Sequence, residues 1–425
     1  MDLPPLSAFD AAAIIVVMAA GLGYLNHRYL KLPHVIGLTI MGAAASLIAV
    51  GTDLIIPTLS LAEGTEAFLS DLDFPDTLMQ GMLSFLLFAG ALHVDLDELK
   101  KGWLPILVLS TIGVITSTII VGFLFFGLCN LIGVAIPLIW CLVFGALISP
   151  TDPVSVLGIL RRAAVPPTLQ ATVAGESLFN DGVGVVVFSI LSSAAISGAD
   201  FSLSEGARLF AAEAGGGILL GLAAGYIGFR AMRAIDVYSI EVLISLAVVM
   251  GGYALAMHLH LAGPVAMAIA GLLIGNQGVT FAMSDITRDY LLKFWELIDE
   301  MLNSVLFLLI GLEIIVIAAR WEFLILALAA IPLVLASRTL AVAGPMSLLR
   351  RFTPLSRAAT PILVWGGLRG GISIALALSL PAGPLRDAIL ATTYGVVLFS
   401  VLVQGATVGR LVAWLKRRPG IEMAG

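Results

Sequence analysis

Charged side chains are scarce in this chain. They make up 12% of its 425 residues, about half the share usual in a soluble domain. With 60% hydrophobic residues and a mean hydropathy of +1.07, the excess of apolar side chains must face lipid rather than water. Cysteine is almost absent too. Cys129 and Cys141 both lie in apolar stretches, so each reads as a small hydrophobe and no disulfide framework follows. The five histidines are scattered, which excludes a His/Cys cluster for zinc or copper. No basic tract is present to suggest nucleic acid. The net charge of −6 says little, because the charges sit in short loops. Those loops leave no room for a soluble domain or an enzyme site. The opening MDLPPLSAFD is acidic, so the first apolar run is expected to be a retained span rather than a cleaved signal.

What the chain does have is long apolar runs. A bilayer core needs about 20 apolar residues per helix. Runs of that kind number about thirteen, centred near residues 18, 42, 86, 115, 145, 185, 219, 247, 269, 305, 331, 370 and 400. Basic residues set the orientation. With the N-terminus outside, the inward loops hold Arg28 and Lys31; Lys100 and Lys101; Arg161 and Arg162; Arg230 and Arg233; Arg288 and Lys293; Arg350, Arg351 and Arg357; Lys416, Arg417 and Arg418. That is sixteen of the 22 lysines and arginines. The outer loops hold only Arg208, Arg320 and Arg386, and the acidic loop at 53–76 also falls outside. A twelve-span count would put half of this pattern on the wrong side.

Two spans are punctuated. The fifth carries ISPTDPVSV, with Pro150 and Pro153 in its body, and the twelfth carries WGGLRGGIS, with four glycines around Arg369. Proline removes a helix donor and clashes with the preceding turn; glycine lets the backbone leave the helix. Inside a membrane such breaks survive only where protein or a water-filled cavity satisfies the freed groups. The breaks fall seven spans apart. If spans 1–6 and 8–13 are two repeats joined by span 7, they occupy equivalent positions, and the odd offset inverts the second repeat. Interrupted helices in matching halves point to a transporter's binding site. The halves share layout rather than residue identity.

Five charges fall at membrane depth: Asp152 in span 5, Glu176 and Asp181 in span 6, Arg338 in span 11 and Arg369 in span 12. Each would cost at least ~2.5–3.5 kcal/mol at a helix centre, so such residues pair or face a cavity. Three acids against two arginines leave one negative charge over, which suits one monovalent cation or one proton. Ser177 and Asp181 share a helix face; Glu176 and Asn180 share the adjoining one, about 100° round. One face can offer a carboxylate and a hydroxyl to an ion. The other can offer a carboxylate to an arginine and an amide to a neighbouring backbone. Oxygen ligands suit hard cations. Pro153 pushes Asp152 out of the helical region, which frees the Thr151 carbonyl.

Four segments, ISPTDPVSVLGIL, AGESLFNDGVGVVVF, LNSVLFLLIGLEI and LVWGGLRGGISIALAL, resemble signature segments of the monovalent cation–proton antiporters. More closely, they resemble the electroneutral NhaP-type branch, a relative of the animal sodium/proton exchangers. The resemblance covers nearly the whole membrane chain. It implies an all-α polytopic membrane protein of about 13 transmembrane helices, with inverted repeats and two crossing broken helices, the NhaA/NhaP-like fold. It implies a dimerisation domain of spans 1–3 and 7–10 (about 8–95 and 208–318) and a mobile core domain of spans 4–6 and 11–13 (about 103–198 and 321–416). The activity implied is exchange of Na+, or Li+, for H+ by alternating access, electroneutral and 1:1, with ion and proton competing at Asp181.

Carried over residue by residue, Asp181 matches the family's ion- and proton-binding aspartate. Asp152 and Thr151 match the ligands on the broken helix. Ser177 matches a hydroxyl ligand, and Glu176 an acid that contacts the ion through water. Asn180, Arg338 and Arg369 match supporting positions; Asn180 is what marks the electroneutral branch. The resemblance implies no resident cofactor, because the cation and proton are cargo. It implies a homodimer in the lipid bilayer of a bacterial inner membrane, N-terminus outside and C-terminus cytoplasmic. The long regulatory tail of the animal exchangers is missing. Exchange of K+ for H+ on the same fold stays open, as does a gated cation channel.

Structural readings stand beside these. Glu176 with Arg338 can be a buried pair joining spans 6 and 11. Arg369 can be a brace for helix dipoles, and Ser177 an interhelical hydrogen bond. Glu241, Glu300 and Glu313 read as loop-proximal or interface carboxylates, and His258 and His260 as an outer-loop pair.

Overall fold

A computed structural model describes residues 8–56, 82–198, 202–278, 283–312, 321–349, 356 and 358–417. Among these residues every regular element is a helix. The acidic loop expected at 53–76 falls almost wholly outside them, as do Glu313, Arg320, Arg350, Arg351, Arg357 and Arg418.

Eight helices are long and apolar enough to cross a bilayer. They are α1 (Ala8–Leu25, extended by a π turn, Asn26–Leu30), α2 (His34–Ile55), the continuous pair α5 (Trp103–Val108) and α6 (Val114–Ile132), α9 (Pro167–Ser197), α10 (Leu203–Arg233), α11 (Tyr238–His258), α14 (Trp321–Leu349), and the continuous pair α17 (Pro384–Phe399) and α18 (Gly405–Arg417). Three shorter apolar helices supply spans 3, 5 and 9: α3 (Leu83–Leu92), α7 (Leu138–Ile148) and α12 (Gly263–Leu273). Span 10 is α13 (Asp285–Leu312), whose first half is amphipathic. Span 12 is the pair α15 (Ala359–Trp365) and α16 (Gly371–Leu378), and span 5 resumes after its break as α8 (Val154–Arg162). A short polar helix, α4 (Leu96–Lys101), connects α3 to α5. The thirteen apolar runs of the sequence thus each find a helix or a broken helix.

Local chemistry sets the ends. Pro167 occupies the first turn of α9, where its missing N–H costs nothing. Gly198 ends that helix at φ 64°, and Gly133 ends α6 at φ 85°, the left-handed closing position that glycine fills without strain. Asp95 caps α4 by accepting from the backbone N–H groups of Asp97 and Glu98. The two broken spans meet where they stop. The backbone N–H of Asp152 donates to the Leu368 carbonyl at 2.8 Å, as an antiparallel bridge. An inverted pair of repeats requires that antiparallel sense.

Packing follows membrane rules. Large apolar side chains such as Leu131, Ile55 and Phe9 face outward, toward what would be lipid. Inside, helices approach through small residues, because lipid tails give no hydrophobic push between them. At the crossing of α2 and α13, a Cβ on Gly311 would lie 2.5 Å from the Thr39 carbonyl and 2.8 Å from the Ala43 nitrogen. Gly145 on α7 is as tight against the Thr118 carbonyl of α6. One apolar cluster gathers Cys141, Phe144, Phe125 and Tyr394 with parts of α13, α14, α16 and α17; another surrounds Trp295 with α3, α10, α11 and α12. Trp295 donates its indole N–H to the Ser245 hydroxyl at 2.9 Å.

Overpacking a close crossing costs about 1–3 kcal/mol. Gly311→Val is therefore expected to lower the thermal midpoint of the detergent-solubilised protein and to cut its yield. Gly127→Val, at a site with nothing within 4 Å of the added carbon, should match the parent. Equal melting of the two variants, read by dye fluorescence, would contradict the close crossing.

Candidate functional site

The site is built at the crossing of the two breaks. Helix α7 stops at Ile148 with its last carbonyls unpaired by helix bonds. Arg369, from the second break, donates Nη1 to the carbonyls of Ser149 (2.5 Å) and Pro150 (2.9 Å). A cation there also offsets the negative end of α7. The second break is held in turn by α17 and the π turn after it. The Ser400 hydroxyl accepts from the Arg369 backbone N–H at 2.8 Å and donates to Gln404, and the Gln404 amide donates to the Trp365 carbonyl at the end of α15.

Helix α9 lies against the first break. Pro150 sits on Gly184, where a Cβ would come within 2.3 Å of the proline ring. Asn180 clasps Thr151 from both sides: its Oδ1 accepts from the Thr151 backbone N–H (3.2 Å), and its Nδ2 donates to the Thr151 hydroxyl (2.8 Å). That hydroxyl lies 3.0 Å from the Ser177 hydroxyl. One step round α9, Glu176 forms a bidentate pair with Arg338 of α14, at 2.6 and 2.9 Å. Both partners are buried, and Arg338 also donates to the Leu363 carbonyl. Asp152 lies against Gly370, where a Cβ would meet its carboxylate at 2.7 Å. Only glycine leaves that space.

The eight residues singled out in the sequence thus occupy three settings. Thr151, Asp152 and Asp181 line a cavity of about 480 Å³. Ser177 and Asn180 stand behind Thr151 and hold it. Glu176, Arg338 and Arg369 lie off that cavity, and the two arginines border a separate void of about 10 Å³ with Gly367 and Gln404. With Glu176 committed to Arg338, the sharing of Arg369 falls to Asp152 and Asp181. Asp181 is only 5% exposed, at the cavity's inner end. A cation arriving there would meet oxygen donors alone, the ligand type that hard ions take.

The cavity opens on the face that carries α4 and the last turn of α8: Asp95, Glu98 and Arg161 line its mouth. Its opposite wall is α13, through Glu296, Asp299, Glu300, Asn303 and Leu306. An acid-lined cleft with low-dielectric walls concentrates cations. Of this wall only Glu300 is singled out by the sequence, as a loop-proximal or interface group. The missed signal is the spacing: 296, 299, 300 and 303 are i, i+3, i+4 and i+7, one face of a helix. Glu241 is fully buried in the first turn of α11 and is no part of the cavity.

At the mouth, Glu98 of α4 accepts from the Thr168 hydroxyl of α9 at 2.6 Å and from Lys101. Those two hydrogen bonds hold its carboxyl below the usual carboxylate range. The charged form of this contact therefore persists to lower pH than at a free glutamate and weakens on acidification through the lowered value. On its other side α4 is tied to the π turn that follows α12 (Ile274–Gly278), where Asn276 accepts from the Leu96 N–H and donates to the Val94 carbonyl.

The model of the family described as sodium/hydrogen exchanger, transmembrane, matches residues 14–414. The chain is 48% identical over 408 residues to the Na(+)/H(+) antiporter NhaP of Pseudomonas aeruginosa, covering 95% of this chain and 96% of that one. It is 35% identical to the Na(+)/H(+) antiporter NhaH of Halobacillus dabanensis, over 86% of this chain and 90% of the relative. Among solved structures, the sodium proton antiporter MjNhaP1 from Methanocaldococcus jannaschii at pH 8 superposes with a TM-score of 0.76 over 97% of this chain and 99% of that one, at 22% identity. That likeness shows a shared fold.

Removing one partner of a buried ion pair costs about 3–5 kcal/mol, while replacing both with apolar groups is often neutral. Glu176→Leu and Arg338→Leu are each expected to lower thermal stability strongly, and the double variant to recover most of it. A double variant as unstable as the two losses added together, read from melting curves, would show that the pair does not act as a unit.

Proposed function

This chain belongs to the sodium/hydrogen exchanger family of transmembrane proteins, and on that premise we propose that it exchanges Na+ for H+ across a bacterial inner membrane. It is a secondary transporter and not an enzyme. The observation that carries the reading is the seating of Asp181 and Asp152 at the end of an acid-lined cavity, beside a helix break whose freed carbonyls Arg369 already occupies.

The mechanism rests on charge. Glu176 and Arg338 neutralise each other. Asp152, Asp181 and Arg369 leave one negative charge. Either Na+ or H+ cancels it, so the two compete for one place. Asp181 takes the exchanged ion or proton, Asp152 and the Thr151 and Ser177 oxygens complete the ligand set, and Asn180 keeps Thr151 in position. Glu176 serves through its pair with Arg338, and any ion contact it makes runs through water. A charged, empty site is expensive to carry past an apolar barrier, whereas a neutral, loaded one is cheap. Movement only when loaded gives electroneutral 1:1 exchange.

In this reading spans 4–6 and 11–13 move as a core and spans 1–3 and 7–10 stay as the dimerisation domain of a homodimer. The seam between them runs where Gly182 of α9 meets Val265 of α12 and Gly371 of α16 meets Leu306 of α13. The basic loops place the N-terminus outside and the C-terminus in the cytoplasm. The cavity mouth at Asp95, Glu98 and Arg161 then faces the cytoplasm, which makes this the inward-open state.

The test is proton flux in sealed vesicles, followed by a pH-sensitive dye while Na+, Li+ and K+ are added separately. Na+-driven alkalinisation is expected in the parent. It should vanish in Asp181→Asn, ignore a clamp on membrane potential, and show a KM for Na+ that rises as pH falls. Asn180→Asp adds a charge and should make any remaining flux potential-dependent. Flux that survives in Asp181→Asn would move the binding to a different acid or replace exchange with a channel, and parental flux that follows the potential would overturn the electroneutral 1:1 count. A response to K+ alone would change the ion and keep the site.

A further inference from the structure

Helix α13 carries oxygen donors that the exchange mechanism does not use. Asn303 is 4% exposed and lines the cavity. Its Nδ2 is committed to the Asp299 carbonyl at 2.9 Å. Its Oδ1 has no hydrogen-bond partner among the described residues, which leaves its lone pairs for a ligand in the cavity. One turn away on the same face, the partly buried Asp299 carboxylate lines the same cavity and feels the charge of Asp152 from the opposite wall. Glu296 and Glu300 continue the stripe toward the mouth, where both are exposed. The deeper pair is therefore a carboxylate and an amide at i and i+4, in a cavity whose lining also includes the Asp152 carboxylate. That donor set fits a hard monovalent cation that keeps part of its hydration.

We propose that Asp299 and Asn303 form a loading station for the alkali cation, which receives it from the acidic mouth and hands it to Asp152 and Asp181. This inference rests on the exchange reading and adds a second cation position to it. The station is on α13, among the helices assigned above to the fixed part, while Asp152 and Asp181 ride on the moving part. The cation thus leaves the station before the core moves. The station sets how readily the site fills from the cavity side and leaves stoichiometry and the crossing step unchanged.

A loading role separates KM from maximal rate, and a specific contact separates from a general field by its resistance to salt. Exposed charges act through a field that is screened beyond roughly 10 Å at 0.1 M salt. Na+-dependent proton flux is measured with Na+ on the cavity side, at low ionic strength and in about 0.3 M choline chloride. Asp299→Asn is expected to raise the KM for Na+ roughly tenfold, the size of one charge-assisted oxygen contact. Its maximal rate should stay near the parental value, and the KM rise should persist in choline. Asp299→Glu should restore the parental KM. Glu300→Gln should raise KM only at low ionic strength.

A parental KM in Asp299→Asn overturns the station, and so does a rise that choline abolishes as it does for Glu300→Gln. Should Asp299→Asn fail to fold, as judged by size-exclusion profile, Asn303→Leu decides. A raised KM at parental maximal rate supports the station, and a parental KM overturns it. The controls keep the two readings apart. Parental protein without cation-driven flux sinks the exchange reading. Working parent and dead Asp181→Asn beside a normal Asp299→Asn sink the station alone.

Discussion

Two helices can stop halfway across this protein because one guanidinium is placed between them. A helix that ends in an apolar interior leaves carbonyls that water would otherwise solvate. Arg369 meets those of Ser149 and Pro150, while Gln404 meets that of Trp365 at the other broken end. The same arginine holds a positive charge near Asp152 and Asp181, so backbone satisfaction and charge balance at the site are one arrangement. Everything around it keeps the guanidinium still. Ser400 fixes its backbone, the Asp152–Leu368 bridge sets the crossing, and the glycines of the second break leave room for Asp152 and Arg338.

The layout of the fold was legible in the sequence because membranes restrict what a chain can do. Apolar runs of helix length, and prolines or glycines inside two of them, leave few alternatives once every backbone group must be satisfied internally. The facial split on α9 was legible only in part: Glu176 turns to an arginine and Asn180 to a backbone, as helical spacing dictates, but Ser177 meets the same threonine as Asn180, and Asp181 alone of the four lines the cavity. What sequence spacing could not supply was depth across the molecule. Glu176 and Asp181 are five residues apart, yet one is in a closed pair off the cavity and the other is at the cavity's end. That difference comes from α14 and α13, more than a hundred residues away in sequence.

Helix α13 shows the opposite case. Its charged first half looked like the approach to a membrane span, because acidic residues near a loop are ordinary. The structure gives that half a cavity to face, and its amphipathic pattern follows from having water on one side and the Trp295 cluster on the other. Helix α4 is likewise a polar connector by composition. In the structure it is tied both to Asn276, in the π turn that follows α12, and to α9 through its own Glu98, so the link between spans 3 and 4 is held from two directions.

The clasp of Asn180 on Thr151 joins two properties that could have been separate. The amide both accepts from the Thr151 backbone and donates to its hydroxyl, which leaves that hydroxyl free to donate toward Ser177. A carboxylate at position 180 has no proton to give. Thr151 would have to turn its own proton back toward it, and the direction of the whole hydroxyl chain would reverse. Valence and hydrogen-bond polarity at this crossing are therefore inherited together. Replacing this amide with a carboxylate would add a charge and, by the same step, rewire which oxygens present their lone pairs.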